Sequence, residues 1–330
     1  MANGEGLEYS MRLHEDTDAF AELIANAAET IGLPQVYVEK DYWVTNALKS
    51  LSESAYAGQA IFKGGTSLSK AYKLIHRFSE DIDLVVNAAG LKDGQRKKLL
   101  RGVEDAAASG LIPIEGDVRI SKGSSYRKTV YRYPRQIADE QFGQASPELL
   151  IEVNAFTTPE PVEVREIQAL IADVLQDQGL GDLVEQYTLQ GFPIRVLSVR
   201  RTLVEKLLGL IKDSYHADPV GRLSSRIRHL YDICLILKHE EYRAFLSGTE
   251  FHAMCEICIA DERTGIFENA EHLNNPLGEA PLFSNFQTWM PFLQSTYTGV
   301  FSQFVYGEVP PMSEITETVT LLGKQCKKVT

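Results

Sequence analysis

Two glycines and two aspartates stand close together in Ile61–Val86, IFKGGTSLSKAYKLIHRFSEDIDLVV. On an extended strand, Asp81 and Asp83 share one face while Ile82, Leu84 and Val86 take the other. Neighbouring carboxylates repel unless a cation lies between them. Oxygen ligands of this kind suit Mg²⁺, which accepts one or two carboxylates and completes its shell with water and phosphate oxygens. Upstream, Gly64 and Gly65 have no Cβ to obstruct a phosphate, and amides at a helix start attract anions. Lys63 stands before the glycines, and Thr66 and Ser67 after them add hydroxyl donors. His76 and Arg77, just ahead of the acidic strand, either reach a phosphate or cover a helix C-terminus.

Glu152 supplies a third carboxylate. It breaks the apolar strand LLIEVNAF on the face shared by Leu150 and Asn154, where a neighbouring strand can hold it beside the aspartates. Asp81, Asp83 and Glu152 are therefore the expected ligands of one or two Mg²⁺ ions. Lys63, Gly64, Gly65, Thr66, Ser67 and Arg77 are the expected contacts to a nucleotide. Together these parts suit a nucleoside triphosphate held for in-line attack at phosphorus. The plainer alternative, a tight turn followed by a solvated strand, stays open. The other common phosphate motifs, GxxxxGK[ST] and GxGxxG after a strand, are absent.

The elements that must position these residues follow from periodicity. Helices are predicted over Asp16–Ile31, Glu39–Leu51, Ser67–Ile75 and Leu91–Ser109. Strands are predicted over Ala60–Lys63, Asp81–Val86, Leu149–Phe156 and Arg195–Val199, with strands or a hairpin over Val118–Tyr133. Thereafter helical spacing dominates: Thr202–Ile211, Ser225–Lys238, Glu240–Ala260, Phe283–Phe301 and Ser313–Gln325. The expected fold is an α/β (α+β) core with a mixed sheet and flanking helices over residues 1–200, followed by an all-helical domain over 201–330 that completes the cleft.

A 330-residue chain with 44% hydrophobic and 24% charged residues is that of a soluble globular protein. No apolar run approaches the roughly 20 residues that span a bilayer. The first residues, MANGEGLEYSMRLHED, lack the pattern of a secretory signal, and four cysteines are too few for a disulfide framework. A cytoplasmic protein with no membrane partner is expected. The net charge of −12 argues against non-specific nucleic-acid binding. Two segments are nevertheless basic. Val118–Ile137 has six Lys/Arg and no acid, and Arg195–Arg228 has eight against three acids. These either hold a polyanion in a cleft or are solvated faces. Within the first, SKGSSYRKTVYRYPR either lines an RNA groove or forms an exposed hairpin. Cys255 and Cys258 form a Cys-x-x-Cys near His252. Without a second ligand pair, they read as buried thiols rather than a zinc site.

In the helical half, Lys206 lies off the apolar stripe of TLVEKLLGLI, on a face shared with Thr202, Gly209 and Asp213. Asp232 lies inside the apolar run RIRHLYDICLIL, where an ionised carboxylate needs a partner. Arg228, one turn earlier, is the local candidate, leaving Lys206 solvated. Alternatively, Lys206 faces the cleft as a point charge for a triphosphate, with Asp232 orienting it or acting as a base.

The glycine pair followed by Asp-x-Asp resembles the nucleotidyltransferase superfamily signature. KGGTSLSKAYKLIHRFSEDIDL, with VEKDYWVTNAL before it, resembles the AbiEii/AbiGii-type nucleotidyltransferase toxins of bacterial toxin–antitoxin and phage-defence systems. The resemblance is specific over about Val38–Val86 and Arg200–Leu237. It implies catalytic roles for Asp81, Asp83, Lys206 and Asp232, with Glu152 resting on strand alternation. It further implies Mg²⁺-dependent transfer of a nucleoside monophosphate to an acceptor such as tRNA, and a cognate antitoxin. The alternatives are a nucleotide-binding regulatory protein without turnover and a phosphotransferase acting on protein.

Overall fold

The computed structural model describes residues 11–138, 142, 145–264 and 271–329. The first ten residues of the stretch weighed as a signal lie outside it. The strands are β1 (Ala60–Lys63), β2 (Ile82–Val86), β3 (Ile112–Pro113), β4 (Ser121–Lys122), β5 (Tyr126–Arg132), β6 (Leu149–Asn154), β7 (Val162–Ile167) and β8 (Phe192–Leu197). They form one mixed sheet in the order β3-β5-β6-β2-β1-β8-β7, with β4 paired to β5. β2 runs parallel to β6 and β1 parallel to β8, and the other pairs are antiparallel. An α/β core followed by helices is the architecture that the sequence predicts.

The helices of the sheet half are α1 (Thr17–Ile31), α2 (Gln35–Ser52), α3 (Gly64–Lys70), α4 (Asp93–Ala107), α5 (Leu170–Asp177) and α6 (Gly181–Gln186). Asp16 caps α1, its carboxylate accepting from the Ala19 amide at 3.1 Å. α2 packs on β8, and α4 on β5 and β6. The remaining helices are α7 (Val199–Ser214), α8 (Pro219–Ser225), α9 (Ile227–Ile236), α10 (Glu240–Ser247), α11 (Thr249–Thr264), α12 (Pro281–Thr298) and α13 (Met312–Cys326).

Two large apolar clusters divide near residue 197. One runs from Leu13 to Val196. The other gathers α7 to α13 and takes in Leu68, Leu74 and Ile75 from the sheet half. A boundary between 200 and 201 would cut α7 after its second residue.

Two predicted helices differ. The helix expected over Ser67–Ile75 begins at Gly64 and ends at Lys70, and Lys73 takes a left-handed φ of 53°. This bend frees Leu74 and Ile75 to enter the helical core. The helix expected over Glu240–Ala260 breaks at Gly248 into α10 and α11. β7, at the sheet edge with Val164 exposed, is not among the predicted strands.

A short tie joins chain segments far apart in sequence. The Phe78 amide donates to the Phe304 carbonyl at 2.7 Å, and the Tyr306 amide to the His76 carbonyl at 3.0 Å. Phe78 stacks on Tyr37 with centroids 4.3 Å apart.

Candidate active site

Strand register builds the floor of the site. Lys63 on β1 pairs with Asp83 on β2, Asp83 with Glu152 on β6, and Glu152 with Lys128 on β5. Partners in register point to the same side, so these residues form one row across four strands, with charges +, −, −, +. Asp81 lies one residue before β2 rather than within it, and reaches the same cleft.

The outer charges are tied. Lys63 Nζ lies 2.8 Å from Glu205 Oε2 on α7, and Lys128 Nζ lies 2.5 Å from Glu152 Oε1. The Tyr126 hydroxyl donates to the other Glu152 oxygen at 3.0 Å. Asp83, in the middle, is left with the repulsion. Burial and the charges of Asp81 and Glu152 push its carboxyl up to about 7, although Lys63 and Lys206 pull the other way.

The glycines permit close approach. Gly64 has φ +82°, and a Cβ there would lie 2.2 Å from Asp83 Oδ2. A Cβ on Gly65 would lie 2.3 Å from Arg77 Nη2. The hydroxyls of Thr66 and Ser67 are not free for a phosphate. Thr66 donates to the Asp81 carbonyl at 2.6 Å, Ser67 to the Gly64 carbonyl at 2.9 Å, and both residues are buried. In this arrangement they hold the turn and the acidic strand together.

The opposite wall comes from α7 and α9. Arg77 holds Asp232 with two hydrogen bonds, Nε to Oδ1 at 2.7 Å and Nη2 to Oδ2 at 2.8 Å. Lys206 Nζ lies 2.9 Å from Oδ2 of the same carboxylate. The local partner considered for Asp232, Arg228, is not the one used. Burial alone would raise the Asp232 carboxyl, but Arg77 and Lys206 outweigh it and hold it well below the usual range. Burial lowers Lys206, and Asp232 only partly restores it. Arg77 thus joins Lys206 in a buried ion triad on Asp232, and it also lines the cleft.

These walls enclose a cleft of about 440 Å³ that Lys63, Gly64, Asp81, Asp83, Glu152 and Lys206 all line. Its donors are oxygens, and the carboxylates of Asp81 and Asp83 face it, Asp83 lying against Gly64. That fits a divalent cation held by Asp81 and Asp83. The expected three-carboxylate set does not close. Both Glu152 oxygens are engaged, and among the described residues no three His, Cys, Asp or Glu side chains are grouped to hold a metal.

The Cys-x-x-Cys residues are buried free thiols on α11, and burial pushes Cys258 up to about 12. The tyrosine-rich stretch forms β4 and β5, with Tyr131 and Tyr133 in the core and Arg127 on buried Glu104. Only Tyr126 and Lys128 of that stretch reach the charged row. His76 does not line the cleft and instead binds the 304–307 segment through its carbonyl.

Several residues of this constellation had no place in the prediction. Glu205 and Arg201 form a chain behind Lys63, with Arg201 Nε donating to Glu205 at 3.1 Å. Lys40 is fully buried, 2.5 Å from Glu80 and 2.6 Å from the Ser146 carbonyl, and so anchors the residue before Asp81. VYVEKDYWV carries a signal of this, since three charges flanked on both sides by apolar residues cannot all avoid the core.

A mixed sheet bearing a glycine turn against Asp-x-Asp, with a lysine–aspartate wall from a helical half, is the arrangement of a nucleotidyltransferase-type protein. The chain belongs to the nucleotidyl transferase AbiEii toxin family of type IV toxin–antitoxin systems, whose family model matches residues 46–310. Among solved structures it is similar to MenT4, nucleotidyltransferase toxin Rv2826c from Mycobacterium tuberculosis H37Rv. The identity is 15% over 91% of this chain and 98% of that one, with a TM-score of 0.47. No curated protein matches it. Among the described residues no helix is long and apolar enough to cross a membrane.

Proposed function

We propose that the protein transfers a nucleoside monophosphate from a nucleoside triphosphate to a hydroxyl of an RNA acceptor such as tRNA, releasing pyrophosphate. The observation that carries this reading is the central pair of the charged row. Asp83 and Asp81 face a cleft beside a side-chain-free turn, with Lys206 on the opposite wall. Asp81 and Asp83 hold a divalent cation, Mg²⁺, which when bound neutralises charge on the phosphates. Gly64 and Gly65 let the phosphates approach the backbone, and Lys63 and Lys206 supply positive charge to the chain.

The acceptor hydroxyl gives up its proton to solvent as its oxygen bonds to the α-phosphorus, and the bond to the pyrophosphate oxygen breaks in line. Asp232, gripped by two cations, is a poor proton acceptor, which favours its role in orienting Lys206 over its role as a base. Glu152 acts through charge, keeping Lys128 and Tyr126 at the edge of the row. As a family toxin, the protein would act in the cytoplasm, be restrained by a cognate antitoxin and serve in phage defence.

The test is incubation with α-labelled triphosphates, Mg²⁺ and total tRNA. Wild type labels the RNA with at least one nucleotide, and Asp83→Ala and Lys206→Ala lose at least about a hundredfold in rate. No label with any of the four nucleotides overturns the reading and leaves a binder without turnover. Transfer of γ-label to protein would point to a phosphotransferase.

A further inference from the structure

Beyond the cleft, the junction of α8 and α9 opens a second pocket of about 280 Å³ lined by Arg222, Ser225, Arg226, Arg228 and His229. It is continuous with the first, because Arg226, Arg228 and His229 line both. Its charge is unbalanced. Arg226 Nε lies 2.5 Å and Arg222 Nη2 3.3 Å from the oxygens of Asp213, a single buried carboxylate. Among the described residues Arg228 makes no ion pair. His229 is kept neutral by burial and by the charge of Lys206, and its Nδ1 is buried with no hydrogen-bond partner. Ser225 spends its hydroxyl on the Arg222 carbonyl at 2.7 Å.

Three guanidinium groups line this concave site, two of them sharing one carboxylate and the third without one, beside an unpaired ring nitrogen, so the site lacks an anion. Guanidinium forks match phosphate oxygens in geometry as well as charge.

We propose that this pocket binds a phosphate group, with Arg222 and Arg228 as its direct donors, beside the Lys206–Asp232 wall. That phosphate belongs either to the end of the triphosphate or to the backbone of the acceptor, and the inference rests on the nucleotidyltransferase reading for those two sources. Arg226 stays on Asp213 and positions the other two.

The test uses Arg222→Gln, Arg228→Gln and the double variant, all at partly exposed side chains that leave the Arg226–Asp213 pair in place. Calorimetry reads binding of the four nucleoside triphosphates and their diphosphates, and filter binding reads total tRNA across a salt series. If the terminal phosphate sits here, triphosphate affinity falls about tenfold or more in the double variant and diphosphate affinity holds. If an acceptor phosphate sits here, tRNA affinity falls and the salt slope drops by about 0.7 per lost contact. Losses on both arms mean a shared pocket. Unchanged binding of triphosphate and tRNA by a folded double variant overturns the proposal. Binding is read without turnover. Weakened binding in a protein that never labels tRNA would therefore uphold the pocket and reject the transferase reading.

Discussion

Burial and two neighbouring carboxylates make the charge on Asp83 costly, and replacing it with asparagine gives a quantitative test. Raising its carboxyl from 3.8 to about 7 corresponds to about 4 kcal/mol at about 1.4 kcal/mol per pH unit, an upper bound because relaxation and water soften it. The folded state binds this proton more tightly than the unfolded state does. Stability from Asp83 is thus fully present below pH 4 and is lost as pH rises through 7. Asp83→Asn keeps the shape and removes the charge. In EDTA, the variant should exceed wild type by about 1–4 kcal/mol at pH 8 and by little at pH 5. Urea unfolding at the two pH values measures the difference. Adding Mg²⁺ at pH 8 should raise wild type selectively, because a cation between Asp81 and Asp83 relieves the same repulsion. An Asn variant no more stable than wild type at pH 8, or a gap that narrows as pH rises, would refute the electrostatic account of this row.

Other outcomes follow from the same geometry. Asp232→Ala strands Arg77 and Lys206 as buried cations and should cost about 3–5 kcal/mol in urea unfolding, well beyond Lys206→Ala, which leaves the two Arg77 hydrogen bonds in place. Gly64→Ala forces a Cβ against Asp83 at a left-handed φ and should lose about 1–3 kcal/mol together with nucleotide transfer, read by unfolding and by RNA labelling. Lys40→Met leaves Glu80 half-buried without its cation. It should lower stability by about 3 kcal/mol and slow transfer by loosening the approach to Asp81, whereas Glu80→Gln with Lys40→Met should recover part of the stability. A thiol reagent at pH 8 should leave the folded protein unmodified and react with four cysteines after unfolding, since all four are free and buried.

Local order explains what could be read from sequence. β1, β2 and β6 are short apolar runs bounded by turn residues, and the long helices carry clear stripes, so each announces itself within about ten residues. Alternation in the sequence set Asp81 and Asp83 on one face, and both line the cleft although Asp81 lies one residue before β2. What remained hidden depends on distant partners. Arg77 and Asp232 lie 155 residues apart, and nothing local distinguishes that pair from Arg228 with Asp232. The hydroxyls of Thr66 and Ser67 look available until the fold shows two carbonyls within reach. Pairing across β5, β6, β2 and β1 creates the charged row, and register is a property of the sheet rather than of any strand.

The tie between residues 76–78 and 304–306 has a consequence for how the site opens. The backbone of Arg77 is bracketed by Phe304, Val305 and Tyr306, far away in sequence. Opening of that strip would loosen the backbone from which Arg77 reaches Asp232. The amides of Phe78 and Tyr306 should therefore lose hydrogen-exchange protection together, as one cooperative unit.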